Sequence, residues 1–182
     1  MSHEFVATRL DVKAFAKAGA VLSGQEPLSK YPRLLEEAGG QGADRLVQWE
    51  ARGETRVDAS GLAQIWLHLS AQVSLPLICQ RCLGPADIAL AVVRAFRFVA
   101  TEEQAEAEDE EAEEDVLALS RDFDLHALIE DELLMELPVV PRHDVCPTEV
   151  KLAAQDADFD AAQASKPNPF AALAGLKGGK SS

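Results

Sequence analysis

Ile65-Trp-Leu-His-Leu-Ser-Ala-Gln-Val-Ser-Leu-Pro-Leu77 is the stretch of this 182-residue chain that decides its fold. Every odd position is apolar, whereas most even positions are polar, and this period of two is typical of a strand with one buried face. After a break at Leu83-Gly84-Pro85 the alternation resumes, with apolar residues at Ile88, Leu90, Val92, Phe96 and Phe98. The two runs together predict a long antiparallel hairpin.

The length of the first run sets a further expectation. Residues 62–78 as one straight strand would span roughly 55 Å at about 3.3 Å per residue, which is long for a small domain. We therefore expect the strand to bend, bulge or change partners near Ser70–Ser74. A third strand is predicted at 47–57, so the pattern indicates a curved, mainly antiparallel sheet.

Helices are predicted on both sides of this hairpin. Apolar residues recur at helical spacing from Leu125 to Leu137, Asp124 can cap the start, and Pro138 ends the pattern. The helix should cover the sheet and place its carboxylates in solvent; these are Glu130, Asp131, Glu132 and Glu136. A short helix capped by Asp11 and a helical stretch over 26–38 are expected earlier in the chain.

The net charge of −14 is unevenly distributed. Residues 1–100 carry 11 Lys and Arg against 10 Asp and Glu, whereas residues 101–182 carry 6 against 21. Ten of the fourteen residues in 102–115 are acidic. Such a segment has few apolar side chains whose burial could offset the backbone entropy lost on ordering it. It is predicted to be a disordered, mobile loop or a poorly fixed helix. The rest of the chain stays compatible with a nucleic-acid partner.

The sequence therefore predicts an α+β fold with a single domain over 1–146 that contains the flexible acidic insert 102–115. Residues 147–182 are expected to form a loose tail with a short anchor at 166–174. No apolar run is long enough to cross a membrane, and the N-terminus does not have the pattern of a secretory signal. We expect a cytoplasmic protein with no membrane partner.

Cys79-x-x-Cys82 lies at the predicted hairpin turn, and His143-x-x-Cys146 follows the predicted helix. Three thiolates and one imidazole would suit tetrahedral zinc if the two pairs met in space. Unliganded thiols in a tight turn and thiol–disulfide chemistry are the alternatives. We expect no cofactor, with structural zinc held by Cys79, Cys82, His143 and Cys146 as the open alternative.

Motifs of catalysis are missing from the sequence, which has no P-loop, nucleophile elbow, dinucleotide fingerprint or zinc-protease motif. We therefore expect a protein that is not an enzyme and has no small-molecule substrate. Arginines near aromatic residues on a sheet are one means of holding RNA, through phosphate contacts and base stacking. The candidates on the hairpin are Arg81, Arg94, Arg97 and Trp66, with Arg52 and Arg56 nearby.

Four strings in one order resemble a known family. They are Cys79-Gln-Arg-Cys82-Leu, Ile129-Glu-Asp-Glu-Leu-Leu-Met-Glu-Leu137 followed by Pro138-Val-Val-Pro-Arg-His143, then Cys146, and Lys166-Pro-Asn-Pro-Phe170 near the end. Together with the acidic insert they resemble the YceD family, the bacterial large ribosomal RNA subunit accumulation proteins.

The resemblance implies a role in synthesis, processing or stability of 23S ribosomal RNA, and so in ribosome biogenesis. The implied partners are 23S ribosomal RNA or its precursor, or a ribosomal protein of the large subunit. The family is not known for a catalytic activity, and other members carry additional cysteines in a form that looks zinc-binding. A thiol-redox or zinc-dependent protein that uses Cys79 and Cys82 is the alternative function.

Overall fold

The predicted hairpin is the centre of a five-stranded sheet in a computed structural model that describes residues 5–148 and Asp158. The strands are β1 (Val21–Pro27), β2 (Leu46–Val57), β3 (Ala63–Ile78), β4 (Pro85–Val99) and β5 (Asp115–Ala118). The helices are α1 (Val12–Lys17), α2 (Pro32–Glu37), α3 (Glu102–Asp109) and α4 (Leu125–Met135), with one 3-10 turn at Leu28–Lys30. The predicted α+β class is confirmed.

The strands follow one another across the sheet in chain order, from β1 to β5. The first four are antiparallel neighbours, and β5 pairs with β4 in parallel. The pairing of β3 with β4 is unbroken from Ile65 opposite Phe98 to Ile78 opposite Pro85. Neither a bulge nor a change of partner interrupts β3 near Ser70–Ser74, because β4 offers backbone partners along its whole length.

The odd positions of β3 face the main core, as the alternation predicts. Leu125, Ile129 and Leu133 of α4 are fully buried in the same cluster, and Asp124 caps the helix by accepting the Ala127 N–H at 3.1 Å. Helix α1 packs on the same face beside Gly53, where a Cβ would come within 2.7 Å of the Ala16 backbone. Helices α1 and α4 therefore cover the core face of the sheet, and α3 packs against one end of the opposite face.

Of the two alternatives predicted for the acidic segment, the helix is the one observed over residues 102–109, which form α3 rather than a disordered loop. Thr101 caps the helix by accepting the Gln104 N–H at 3.2 Å. The guanidinium of Arg97 on β4 donates to Glu108 and to Glu114, at 2.6 Å each. A small apolar cluster beside these ion pairs offsets part of the ordering entropy; it contains Val99, Ala105 and Val116.

Two of the carboxylates predicted to be solvated on α4 are buried instead. Glu130 accepts the N–H groups of Arg33 (2.8 Å) and Leu34 (3.3 Å), and it also pairs with the Arg33 guanidinium at 3.0 Å. Glu132 lies 3.4 Å from the Arg94 guanidinium, and burial raises the pKa of its carboxyl group. The prediction was wrong here because α2 and β4 pack against the polar side of α4.

Two strands and one helical region also differ from the sequence pattern. β1 and β5 were not predicted, and the helical stretch over 26–38 is a strand end, a 3-10 turn and the six-residue helix α2. Residues up to Pro147 form one compact unit. The predicted tail 147–182 and its anchor at 166–174 lie outside the described residues, apart from Pro147, Thr148 and Asp158. None of the described helices is long and apolar enough to span a membrane.

Candidate functional site

The turn between β3 and β4 carries the first cysteine pair. The Cys79 N–H donates to the Gly84 carbonyl at 2.9 Å, and the Leu83 N–H donates to the Cys79 carbonyl at 2.8 Å. Leu83 adopts a positive φ of 59°, which closes the turn at a conformation uncommon for a leucine. This tight turn holds the side chains of Cys79 and Cys82 on the same side.

The second pair is brought to this turn by the chain that follows α4. The Gln80 N–H donates to the Pro141 carbonyl at 2.8 Å, which ties the two segments together. The Sγ atoms of Cys79 and Cys146 are 3.9 Å apart, and Cys82 Sγ lies 3.4 Å from His143 Nδ1. All four candidate ligand atoms lie within 4.8 Å of one another. The structure therefore brings together the two pairs, whose meeting the sequence had left open.

The Pro85 carbonyl selects the tautomer of the neutral His143 ring. Its Nε2 lies 2.9 Å from that oxygen, which can only accept a hydrogen bond, so Nε2 carries a hydrogen. In the neutral ring Nδ1 is then the acceptor that faces the cysteines, which is the arrangement found in metal-binding histidines with a backbone carbonyl as outer partner.

The thiols of the cluster differ in acidity. Burial opposes ionisation of Cys79, but hydrogen bonds from the backbone N–H groups of Cys82, His143 and Arg81 lower the pKa of its thiol to about 5. Burial and the two neighbouring thiols raise the pKa of Cys146. All three cysteines are free thiols. The backbone N–H groups therefore favour the thiolate of Cys79, and a cation would stabilise the ionised form of the other two cysteines.

The donor set fits zinc. With Zn–S bonds of about 2.3 Å and Zn–N bonds of about 2.0–2.1 Å, a tetrahedral site separates two sulfurs by about 3.8 Å and a sulfur from a nitrogen by about 3.5 Å. The observed separations of 3.9 and 3.4 Å match both. Because four protein ligands fill a tetrahedral site, such a centre would be structural and would leave no position for a substrate.

The arginines predicted to hold RNA are not on one surface. Arg94 pairs with Leu69 in the sheet and lies on the face that α4 covers, where its guanidinium meets Glu132. Arg97 pairs with Trp66 and lies on the opposite face, where Glu108 and Glu114 neutralise it and its side chain is only 12% exposed. The odd separation of Arg94 and Arg97 along β4 accounts for this division, since alternate residues point to opposite faces.

Trp66 lies on the face opposite the main core, as its even position predicts, but it is not open to solvent. The Arg56 guanidinium covers its ring at 4.5 Å from the centroid, and its Nε1 donates to the Gln64 side chain at 3.2 Å. Arg56 also donates to Glu54 at 3.0 Å, and Glu54 lies 2.6 Å from His68. A base would have to displace Arg56 before it could stack on this indole.

Arg81 is the member of the predicted set that remains available. It is exposed on the Cys79–Cys82 turn and makes no ion pair with any residue in the range 5–148. Arg142 is also exposed and likewise unpaired within that range, and the bond between Gln80 and Pro141 holds its segment beside Arg81. The sequence analysis missed Arg142, although its position next to His143 was a usable signal.

Exposed aliphatic side chains lie on the same two chain segments as these two arginines. Leu83, Val139, Val140 and Val145 are all exposed, and Val139 is 99% exposed. Exposed aliphatic side chains on the same segments as unpaired cations are typical of an interaction surface. We call the turn 79–84 and the segment 139–146 the knuckle.

The fold and the site thus define an α+β protein whose knuckle carries a cluster of three cysteines and one histidine together with two exposed, unpaired arginines. Residues 67–177 match the family described as large ribosomal RNA subunit accumulation protein YceD. A protein of that name from Haemophilus influenzae is 32% identical over 167 residues, which cover 84% of this chain and 93% of that protein. No solved structure matches the chain. The chain belongs to the YceD family.

Proposed function

We propose that this protein is a non-catalytic cytoplasmic factor that supports the accumulation of 23S ribosomal RNA, and that it does so by binding this RNA or its precursor at the knuckle. The family is named for accumulation of the large ribosomal RNA subunit, and this supports the biological role. The knuckle supports the mode of action, because it presents unpaired guanidinium groups on a rigid turn.

The pairing of charges carries this proposal. Arg94 and Arg97 already have carboxylate partners, so a phosphate would have to compete with Glu132, Glu108 or Glu114 for them. Arg81 and Arg142 have no such partner among the described residues, and a phosphate can bind them without breaking an ion pair. Guanidinium groups bind phosphate oxygens through two parallel hydrogen bonds, which favours them over lysine at a defined position.

The metal in this proposal has a structural role. Cys79, Cys82, His143 and Cys146 would hold zinc, and the bound ion would lock the turn after β3 to the chain that follows α4. Arg81 lies between two of these residues and Arg142 precedes a third. The protein's own contribution is then to hold the two guanidinium groups in a fixed relative position, which reduces the entropy lost when RNA binds.

The test compares unpaired with paired cations. We expect the Arg81→Gln/Arg142→Gln variant to bind a 23S ribosomal RNA fragment about tenfold more weakly than the wild type in fluorescence anisotropy. The slope of log affinity against log salt should fall by about 1.4, at about 0.7 for each phosphate contact to a single strand. Lys30→Gln/Arg52→Gln is the control, because it removes the same charge from residues that already pair with Glu26 and Glu54.

An unchanged affinity in the Arg81→Gln/Arg142→Gln variant would reject the knuckle as the RNA site. An equal loss in the control variant would also reject it, since the effect would then be one of net charge.

A basic ribosomal protein of the large subunit is a second candidate partner, and helix α3 supports it. Most carboxylates of the acidic segment are exposed, and only Glu108 and Glu114 pair with Arg97. Replacing Glu102, Glu103, Glu106 and Glu110 by Gln keeps the helix-forming side chains and removes four charges. Loss of pull-down of large-subunit ribosomal proteins, with RNA binding intact, would favour this partner over direct RNA contact.

Thiol chemistry at Cys79 and Cys82 is the alternative function. The lowered pKa of Cys79 suits a nucleophilic thiol as well as a metal ligand. Protein purified without chelator should contain one zinc ion per chain and show three unreactive thiols if the metal interpretation holds. Metal-free protein that forms a Cys79–Cys82 disulfide reversibly would favour the redox interpretation.

A further inference from the structure

A second group of unpaired cations lies at the other end of the hairpin. Lys13 and Lys17 of α1 and Arg121 line one concavity of about 560 Å³, whose floor is formed by small or apolar residues that include Ala14, Ala100 and Leu119. All three cationic side chains are exposed, and none makes an ion pair within residues 5–148.

The free charges are unusual for this molecule. Eight of the thirteen lysines and arginines in the range 5–148 form ion pairs with carboxylates. The five others fall into two groups, Arg81 and Arg142 on the knuckle and the three cations of this concavity. Lys13 and Lys17 are four residues apart on one helix, so their like charges repel and weaken the helix slightly. A bound anion would remove that repulsion.

The acidic groups around the concavity have other partners. Asp11 caps α1 by accepting the Ala14 N–H at 2.9 Å, and Asp122 pairs with Arg9 at 3.1 Å. Of these two carboxylates, only Asp11 lines this concavity, which leaves an excess of two positive charges there. Asp58 and Glu108 line an adjoining concavity with Lys13 and Lys17, but Asp58 accepts the Ser60 and Leu62 N–H groups and Glu108 pairs with Arg97.

The walls of the concavity are held in place by backbone hydrogen bonds. Leu10 and Phe123 exchange two bonds, at 2.8 and 3.1 Å, and the Leu119 N–H donates to the Val99 carbonyl at 2.8 Å. These bonds hold α1 and the segment that carries Arg121 against the end of β4. The three cations therefore converge on a preformed surface, which reduces the ordering entropy that binding requires.

We propose that Lys13, Lys17 and Arg121 form a second RNA-phosphate site, at the end of the β3–β4 hairpin opposite the knuckle. This inference rests on the proposed function, since it extends RNA contact from one end of the hairpin to the other. β4 runs fifteen residues from Pro85 beside the knuckle to Val99 beside the concavity, or about 50 Å at roughly 3.3 Å per residue. A strand with about 3.4 Å per stacked nucleotide needs roughly 15 nucleotides to reach both sites.

The experiment uses RNA length to separate one contact from two. The probes are uridine oligomers of 8 and 30 nucleotides, and the proteins are the wild type, Lys13→Gln/Lys17→Gln/Arg121→Gln and Arg81→Gln/Arg142→Gln. We expect the triple variant to bind the 30-mer at least tenfold more weakly, with a salt slope smaller by about 2. The 8-mer should lose only a few-fold in affinity, because it reaches one site at a time and gains nothing from a second.

The outcomes separate this inference from the proposed function. A triple variant with wild-type affinity and salt slope for the 30-mer, while Arg81→Gln/Arg142→Gln is weakened, would overturn the second site and keep the first. The reverse result would keep this site and remove the knuckle. Inorganic phosphate that binds the wild type and not the triple variant, while both proteins bind the 30-mer equally, would identify a small-anion site and overturn RNA binding there.

Discussion

Metal removal should release the knuckle and leave the sheet folded. The nine residues from Pro138 to Cys146 bury little apolar surface, since Val139, Val140 and Val145 are exposed. Ordering nine backbone residues costs about 9–18 kcal/mol, and the two prolines reduce this toward the lower end. One backbone hydrogen bond to Gln80 contributes about 1 kcal/mol. Zinc held by the four candidate ligands would contribute about 10–16 kcal/mol, so a bound metal would be the term that balances the entropy.

Limited trypsin digestion measures this release at Arg142 itself. Adding a chelator should accelerate cleavage after Arg142 by a hundredfold or more, because the segment 138–146 becomes free to enter the protease. The Cys146→Ser variant should show the same rate without chelator, since it removes one of four ligands. Cleavage after Arg121, which is exposed but belongs to the other end of the hairpin, is the internal control and should not change.

The refuting result is equally specific. Protein shown by mass spectrometry to be free of metal, but still protected at Arg142, would mean that packing alone orders the segment. A fall in the urea midpoint of the whole protein together with faster cleavage at Arg121 would mean that the knuckle supports the core. Either finding would contradict the energy balance drawn from the exposed valines.

Two further predictions concern the buried carboxylates of α4. Glu130→Ala should lower the free energy of unfolding by about 3 kcal/mol, because the Arg33 and Leu34 N–H groups lose their acceptor. Glu130→Gln should lower it by about 1–2 kcal/mol. Urea denaturation with an unchanged m value measures both changes. Glu132→Gln should raise stability at pH 7. Its carboxyl pKa is raised in the folded state, so wild-type stability falls as pH rises through that pKa, and the gain should vanish near pH 4 in denaturation at several pH values.

The hairpin was predictable because a single periodic signal determined it. From Ile65 to Leu77 each odd side chain is apolar, and a slip of one residue would expose all of them, so the alternation specifies both the strand and its buried face. The start of α4 was predictable for a similar local reason, because Asp124 is a cap and Leu125, Ile129 and Leu133 share one helical face. Both inferences used interactions within a short stretch of sequence.

The ordered structure of the acidic segment could not be predicted in the same way, because the residues that stabilise it lie elsewhere in the chain. Arg97 belongs to β4, and the local pattern gave no sign that its guanidinium would meet Glu108 and Glu114. β5 was missed for the same reason: its four residues gain their hydrogen bonds from β4 and their burial from α3. Long-range partners likewise decided that Glu130 is buried, since α2 supplies the donors.

The candidate site shows a further limit of sequence reasoning. The four candidate ligands were predictable as types and spacings, whereas their meeting involves a long-range contact, the hydrogen bond between Gln80 and Pro141. The net charge of −14 and the number of arginines did not show which arginines are available to an anion, because the basic residues are scattered along the chain. An ion-paired guanidinium must lose its carboxylate before it can bind phosphate, so ion pairing decides, more than the number of arginines, which surface is available to an anion. On that criterion an acidic chain presents two cationic surfaces, and both lie at the ends of the one hairpin that its sequence specifies most strongly.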